Sequence, residues 1–248
     1  MSNTVQAHIQ LTQNDAANWA ILPGDWARVD RIKNYLEDVQ ELAFNREFKS
    51  IRGTYKGVPV LAVSTGIGGA SMGICCEELH NIGVKGAIRI GSAGAYVQGI
   101  GLGDLIIANG AVRDDGASNT YAKVQLPAVP NTQVLFAIVQ AAKQLQAKYH
   151  VGIVRSHDSF YTDQELEICD YWGKQGVLGA DLETAALLVV GGLRGMMCGS
   201  ILNNVVLAEG DAGSAIGDYV NGDDACAKGE ELEILTALEA IVALEKNN

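Results

Sequence analysis

Short apolar runs of strand character alternate with segments of helical period along nearly the whole chain, and this narrows the possible folds more than any other feature. Trp19 to Gly24 reads as a strand ending in a turn, followed by a helix through about Leu36. Arg52 to Tyr55 and Val58 to Ser64 flank Lys56-Gly57 as a hairpin. After a glycine loop, Met72, Cys75, Cys76, Leu79 and Ile82 recur at helical spacing. Val84 to Ile90, Asp104 to Asn109, Tyr149 to Arg155 and Met196 to Val206 read as strands. Val134 to Leu145 and Leu182 to Leu193 read as helices, as does Asp224 to Lys246, with Leu232, Leu235, Leu238, Ile241 and Val242 on one face. No composition break or internal repeat interrupts the series. The expected fold is α/β: one domain over residues 1–248, a three-layer sandwich with a mixed sheet covered by helices on both sides. A chain of 248 residues with 48% hydrophobic content supplies core enough for it.

Charge restricts the partners. The chain carries 18 Lys+Arg against 29 Asp+Glu, a formal net charge of −11. Neither nucleic acid nor an anionic membrane surface attracts such a chain, whereas a small anion in a local arginine pocket remains compatible. Met1 to His8 show no basic run followed by an apolar run, and no apolar stretch reaches the ~18 residues of a membrane span. Cys75, Cys76, Cys169, Cys198 and Cys226 are odd in number and lack zinc-ligand spacing. A reduced, cytoplasmic protein is the simplest expectation.

Arginine and glycine recur together at three places: Ile21-Leu22-Pro23-Gly24-Asp25-Trp26-Ala27-Arg28, Asn45-Arg46-Glu47-Phe48, and Ile88-Arg89-Ile90-Gly91-Ser92. Arginine offers a planar fork of donors suited to phosphate or carboxylate, and glycine lets backbone N–H groups approach the same anion. Singly, each piece also fits a strand-end turn with a solvated arginine. Ser64-Thr65-Gly66-Ile67-Gly68-Gly69 is not a Walker loop, since no Gly-Lys-Ser/Thr follows, and it is a poor dinucleotide fingerprint.

Together with Glu77-Glu78-Leu79, Phe160-Tyr161 and Asp181-Leu182-Glu183, these motifs occur in the order found in uridine phosphorylases and the hexameric purine nucleoside phosphorylases. The chain resembles that family from about His8 to its C-terminal helix. The resemblance implies attack of inorganic phosphate on C1′ of a nucleoside, giving ribose 1-phosphate and a free base. It implies no organic cofactor, an active site at a dimer interface, and a hexamer built as a trimer of dimers. By resemblance, Gly24, Arg28, Arg89 and Ser92 hold phosphate, and Arg46 reaches it from the neighbouring subunit. Glu183 accepts the ribose hydroxyls with Leu182 under the sugar, and His8 meets the 5′-hydroxyl across the interface. Phe160, Gln164 and Asn204 face the base. Arg28, Arg89, Glu183 and Asn204 form the catalytic set. Glu47, Ile67 and Ser71 match positions that hold a structural monovalent cation, K+, in some uridine phosphorylases.

The chain departs from the family pattern at several of these positions. Trp26 replaces a proline, and Leu182 a methionine. Leu166 stands where uridine phosphorylases carry the arginine of a Gln-Glu-Arg run. Asn204 falls where either a uracil-side arginine or the purine enzymes' acid is expected. Ser92 leans toward the purine branch; Gln164 and Asp115-Gly116-Ala117-Ser118 lean toward the uridine branch. An amide at 204 suits bases that leave as carbonyl-stabilised anions, which ranks uridine first, inosine or guanosine second and adenosine last. A nucleosidase using water and a nucleoside-binding protein with little turnover are the other readings.

Overall fold

The computed structural model describes residues 4–208 and 224–246. Nine strands form one mixed sheet: β1 (Trp19–Pro23), β2 (Glu37–Asn45), β3 (Phe48–Tyr55), β4 (Val58–Val63), β5 (Gly86–Ala95), β6 (Leu105–Asp114), β7 (Tyr149–His157), β8 (Gly179–Asp181) and β9 (Met197–Val206). Their order is β2-β3-β4-β1-β5-β8-β7-β6-β9. A further parallel pairing joins β9 back to β5, so the strands from β5 onward close into a ring. The ring is narrow, and small residues such as Ala93, Ala95 and Ala108 fill it beside Ile106, Val154 and Leu202.

Helices cover both faces, as the alternating pattern requires. On one face, α1 (Trp26–Lys33), α4 (Thr132–Gln144) and α7 (Asp224–Lys246) bury Val29, Ile32, Val134, Ile138, Leu238 and Ile241 against β1, β4 and β5. On the other, α2 (Gly69–Ile82) packs Met72, Cys75, Cys76 and Leu79 against α6 (Thr184–Ala186) and its π-helical continuation Leu187–Gly191. The short helices α3 (Gly116–Tyr121) and α5 (Glu165–Lys174) lie at the ends of β6 and β7. All five cysteines are free. Burial pushes the thiols of Cys75, Cys76 and Cys198 up, so they behave as inert packing groups.

Several boundaries move. Helix α1 stops at Lys33, where Asn34 closes it, rather than near Leu36. The apolar helix begins at Thr184, not Leu182, because Asp181 Oδ2 accepts the Thr184 N–H at 3.0 Å and Glu183 takes the N-cap. Strand β5 runs past Ile90 to Ala95 because Gly91-Ser92-Ala93-Gly94 continues the ring. On α7 the buried face includes Glu230 and Glu233, while Leu232 and Leu235 are only half-buried. None of the described helices is long and apolar enough to cross a membrane.

Candidate active site

Strands β1, β4, β5 and β9 run parallel, and their carboxyl ends converge on one cavity of about 850 Å³. Clefts at such strand ends are the usual ligand sites of open α/β sheets. The turn after β1 contributes Gly24, Asp25, Trp26 and Arg28, and the glycine loop after β4 contributes Gly66 and Ile67. Strand β5 brings Arg89 and Ser92; the segment ending β8 brings Asp181, Leu182 and Glu183. The first two turns are bonded together, Thr65 N–H to the Pro23 carbonyl at 2.9 Å and Gly66 N–H to that of Gly24 at 3.0 Å. Asp25 caps α1 by accepting from Ala27 N–H at 2.9 Å, which aims Arg28 inward.

Both arginines are buried and held by carboxyls. Arg89 donates Nε to Asp181 Oδ2 at 2.9 Å and pairs Nη2 with Glu183 Oε2 at 2.5 Å. Its Nη1 is buried without a partner among the described residues. A buried guanidinium donor left unpaired costs free energy on the order of 1–3 kcal/mol, which a bound anion would recover. Arg28 donates Nε to Glu230 Oε2 at 3.0 Å and Nη2 to Ser92 Oγ at 3.3 Å, and lies 3.4 Å by Nη1 from Glu233 Oε2. Asp181 is fixed in turn by Ser156 Oγ at 2.6 Å and Thr184 Oγ1 at 2.6 Å. Glu183 Oε1 accepts the Gly68 N–H at 2.5 Å. Burial raises the Glu183 carboxyl above its ordinary range, and Arg89 opposes that rise.

The far end of the cavity is lined by Tyr96, His157, Phe160, Tyr161, Glu165, Val205 and Val206. Burial, and then the charge of Arg155, hold the His157 imidazole below its ordinary value. Burial lifts the Tyr96 phenol to about 12 even though Arg155 donates to its oxygen at 3.0 Å. Both therefore present neutral polar groups around pH 7.

The structure brings together Gly24, Arg28, Arg89, Ser92, Phe160, Leu182 and Glu183, all on the cavity wall. It does not bring Asn204 there. That side chain is fully buried and donates Nδ2 to the Gly101 carbonyl at 3.0 Å. A bulge opposite Ala93 and Gly94 turns Val205 and Val206 toward the cavity instead. The expected base contact and catalytic role of Asn204 are corrected on that ground, and the amide at 204 no longer supplies a reason for ranking the bases. Gln164 is exposed at the N-cap of α5, and Glu165 lines the wall in its place.

His8 and Arg46 also lie off the cavity. His8 Nδ1 sits 2.7 Å from Glu78 Oε1, and its carbonyl accepts Asn45 Nδ2 at 2.8 Å. Arg46 occupies the exposed tip of the β2–β3 hairpin at φ 56°. The two residues thus share one outer edge. Glu47 reaches the cavity wall, its side chain packed against Gly66, whose added Cβ would lie 2.7 Å from Glu47 Cγ. Ser71 Oγ donates to the carbonyls of Ile67 at 3.3 Å and Gly68 at 3.1 Å.

Sequence reasoning passed over Asp181, Glu165, His157, Glu230 and Glu233. The acids of α7 carried a signal, since Glu230 and Glu233 are spaced by three and therefore share a helix face.

The arrangement defines a class: an α/β protein with two buried arginines and a buried carboxyl lining one cavity at the ends of its parallel strands. A family model of the phosphorylase superfamily matches residues 18–224. Uridine phosphorylase of Thermococcus kodakarensis is 40% identical over 225 residues, covering 84% of this chain and 81% of that protein. Guanosine phosphorylase of Halorubrum lacusprofundi is 36% identical over 196 residues, covering 79% and 81%. The crystal structure of uridine phosphorylase from Vibrio fischeri superimposes with a TM-score of 0.90 at 45% identity, covering 96% of this chain and 97% of that one. The chain belongs to the phosphorylase superfamily.

Proposed function

We propose that the protein is a nucleoside phosphorylase, a pentosyltransferase cleaving the N-glycosidic bond of uridine with inorganic phosphate. The observation that carries this reading is the unpartnered Arg89 Nη1 beside Glu183. Phosphate enters among Gly24, Arg28, Arg89 and Ser92, where the arginines are already desolvated and oriented, so their attraction for the anion is strong. Glu183 accepts the ribose hydroxyls and keeps C1′ within reach of a phosphate oxygen. As the glycosidic bond breaks, the phosphate and Glu183 carry negative charge beside a sugar that becomes cationic. The preference for uridine rests on the uridine phosphorylase relatives.

One observation favours guanosine as a second reading. Glu165 Oε2 is buried and has no hydrogen-bond partner among the described residues, at the base end of the cavity. A carboxylate there matches the adjacent N1–H and 2-amino donors of guanine better than the single N3–H of uracil. The assay that tests both readings follows base release from uridine, guanosine, inosine and adenosine, with and without phosphate. Ribose 1-phosphate formed from uridine with the highest kcat/KM is the expected result. Equal cleavage without phosphate would make the protein a nucleosidase, and no cleavage of any nucleoside would leave a binding protein.

The shared edge of His8 and Arg46 supports a dimer in which each subunit completes the other's site, within a larger trimer of dimers. Glu47, the Ile67 carbonyl and Ser71 are oxygen donors of the kind that suit a hard monovalent cation at that junction.

A further inference from the structure

Arg28 and Arg89 stand among more buried carboxyls than there are guanidinium groups to balance them. Asp181 and Glu183 face Arg89; Glu230 and Glu233 face Arg28. Among the described residues, Arg31 reaches Glu230 and the exposed Asp25. With every carboxyl ionised, the pocket would repel the anion it is built to hold. A proton on one of them relieves that repulsion when an anion is present, and the geometry distinguishes which.

Asp181 accepts from Arg89, Ser156 and Thr184, and Glu230 pairs with both Arg28 and Arg31, so both oxygens of each are engaged. Glu183 holds Arg89 and the Gly68 N–H, one with each oxygen. Glu233 differs. It is fully buried on α7, its Oε1 accepts the Gly91 N–H at 2.6 Å, and its Oε2 makes no hydrogen bond among the described residues. That free oxygen lies 3.4 Å from Arg28 Nη1, close enough to neutralise the arginine when ionised and able to carry a proton when it is not. The charged groups around it are Arg28 from α1, Arg89 from β5 and Glu230 from α7 itself.

We infer that Glu233 is a positioning residue that takes up a proton when an anion binds, releasing the charge of Arg28 to that anion. This rests on the reading of the arginine pocket as the phosphate site. Burial pushes the Glu233 carboxyl up to about 8, against the attraction of Arg28, so the exchange falls near neutral pH. A bound anion favours the protonated form further. By linkage, anion affinity is full below about pH 7 and falls as Glu233 ionises above it. Meanwhile the Gly91 N–H bond holds the residue in place in both states.

Sulfate is the suitable probe, because its charge is constant where phosphate itself titrates. Its dissociation constant, measured calorimetrically on the intact protein from about pH 7 to about pH 9.5, should rise roughly tenfold or more. His157 titrates below that window and Tyr96 above it. The Glu233→Gln variant keeps an oxygen for Gly91 N–H and loses the charge, so its sulfate affinity should stay flat across the same range. At about pH 8, binding to the wild type should also draw protons from the buffer, read as a heat that depends on the buffer's ionisation enthalpy. A wild-type affinity that does not change with pH overturns the inference and leaves the phosphate site standing. So does a Glu233→Gln profile with the wild-type slope. Absence of sulfate binding at every pH overturns both. The wild-type measurement decides the matter even where the variant fails to fold.

Discussion

At the residue scale, the consequence of Arg89's position is direct. Two of its nitrogens are anchored on Asp181 and Glu183, and the third is held ready by that anchoring. Arg89→Ala removes the charge and also leaves two buried carboxyls facing each other. Turnover should fall by about 10²–10³-fold with phosphate dependence largely lost, in steady-state kinetics at varied phosphate. A variant retaining the wild-type phosphate KM would contradict the site. Asn204 supplies the opposite expectation. Its amide bonds Gly101 and is turned from the cavity. Asn204→Asp should therefore leave the ratio of kcat/KM for uridine and adenosine unchanged, while lowering thermal stability, because a carboxyl cannot donate to the Gly101 carbonyl when ionised. A shift of that ratio toward adenosine would return the residue to the pocket. Arg28, Arg89 and Glu183 were legible from their motifs. Asn204 was not, because the β9 bulge changes which side chain faces the cavity, and sequence spacing alone does not record a bulge.

At the element scale, β5 is the strand that brings Arg89 and Ser92 into the cavity. Gly91 leaves room for the guanidinium to fold back over its own strand; an added Cβ would lie 2.4 Å from Arg89 Nη2 and 2.7 Å from Cζ. Its N–H also holds Glu233. Gly91→Ala must displace an arginine already anchored at Nε, so the clash cannot be relieved by rotation alone. A loss of roughly 1–3 kcal/mol in stability and a rise of about tenfold in the phosphate KM are expected, from chemical denaturation and kinetics. Unchanged values of both would mean that the strand shifts freely. The strand itself was legible as an apolar run, but only to Ile90. Its continuation through Gly91-Ser92-Ala93-Gly94 reads as a loop by composition, and it became strand because β8 and β9 pair with it. Helix α7 shows the same limit. Periodicity located it well, yet an acid on a helix reads as solvated, and Glu233 is buried because Gly91 and Arg28 meet it there.

At the scale of the whole molecule, His8 and Arg46 have no place in the cavity of their own chain. If they serve a neighbour's site, mixed dimers of Arg46→Ala and Glu183→Ala subunits should recover part of the activity that each variant lacks alone, since one site per pair is then intact. Mixing without recovery, or a fully active monomer by sedimentation, would assign Arg46 to the surface. By itself the sequence determined the alternation of strands and helices, the three-layer α/β class, the acidic charge and the arginine and glycine motifs that meet at the cavity. These are local properties, set by side-chain period, by turn glycines and by the donor chemistry of arginine. The tertiary structure alone decided the rest: closure of β9 onto β5, the exclusion of Asn204, the entry of Glu165, and the burial of Glu233 against Arg28. Each of those depends on pairings between segments far apart in the chain, where neighbours rather than residue type set exposure, direction and protonation.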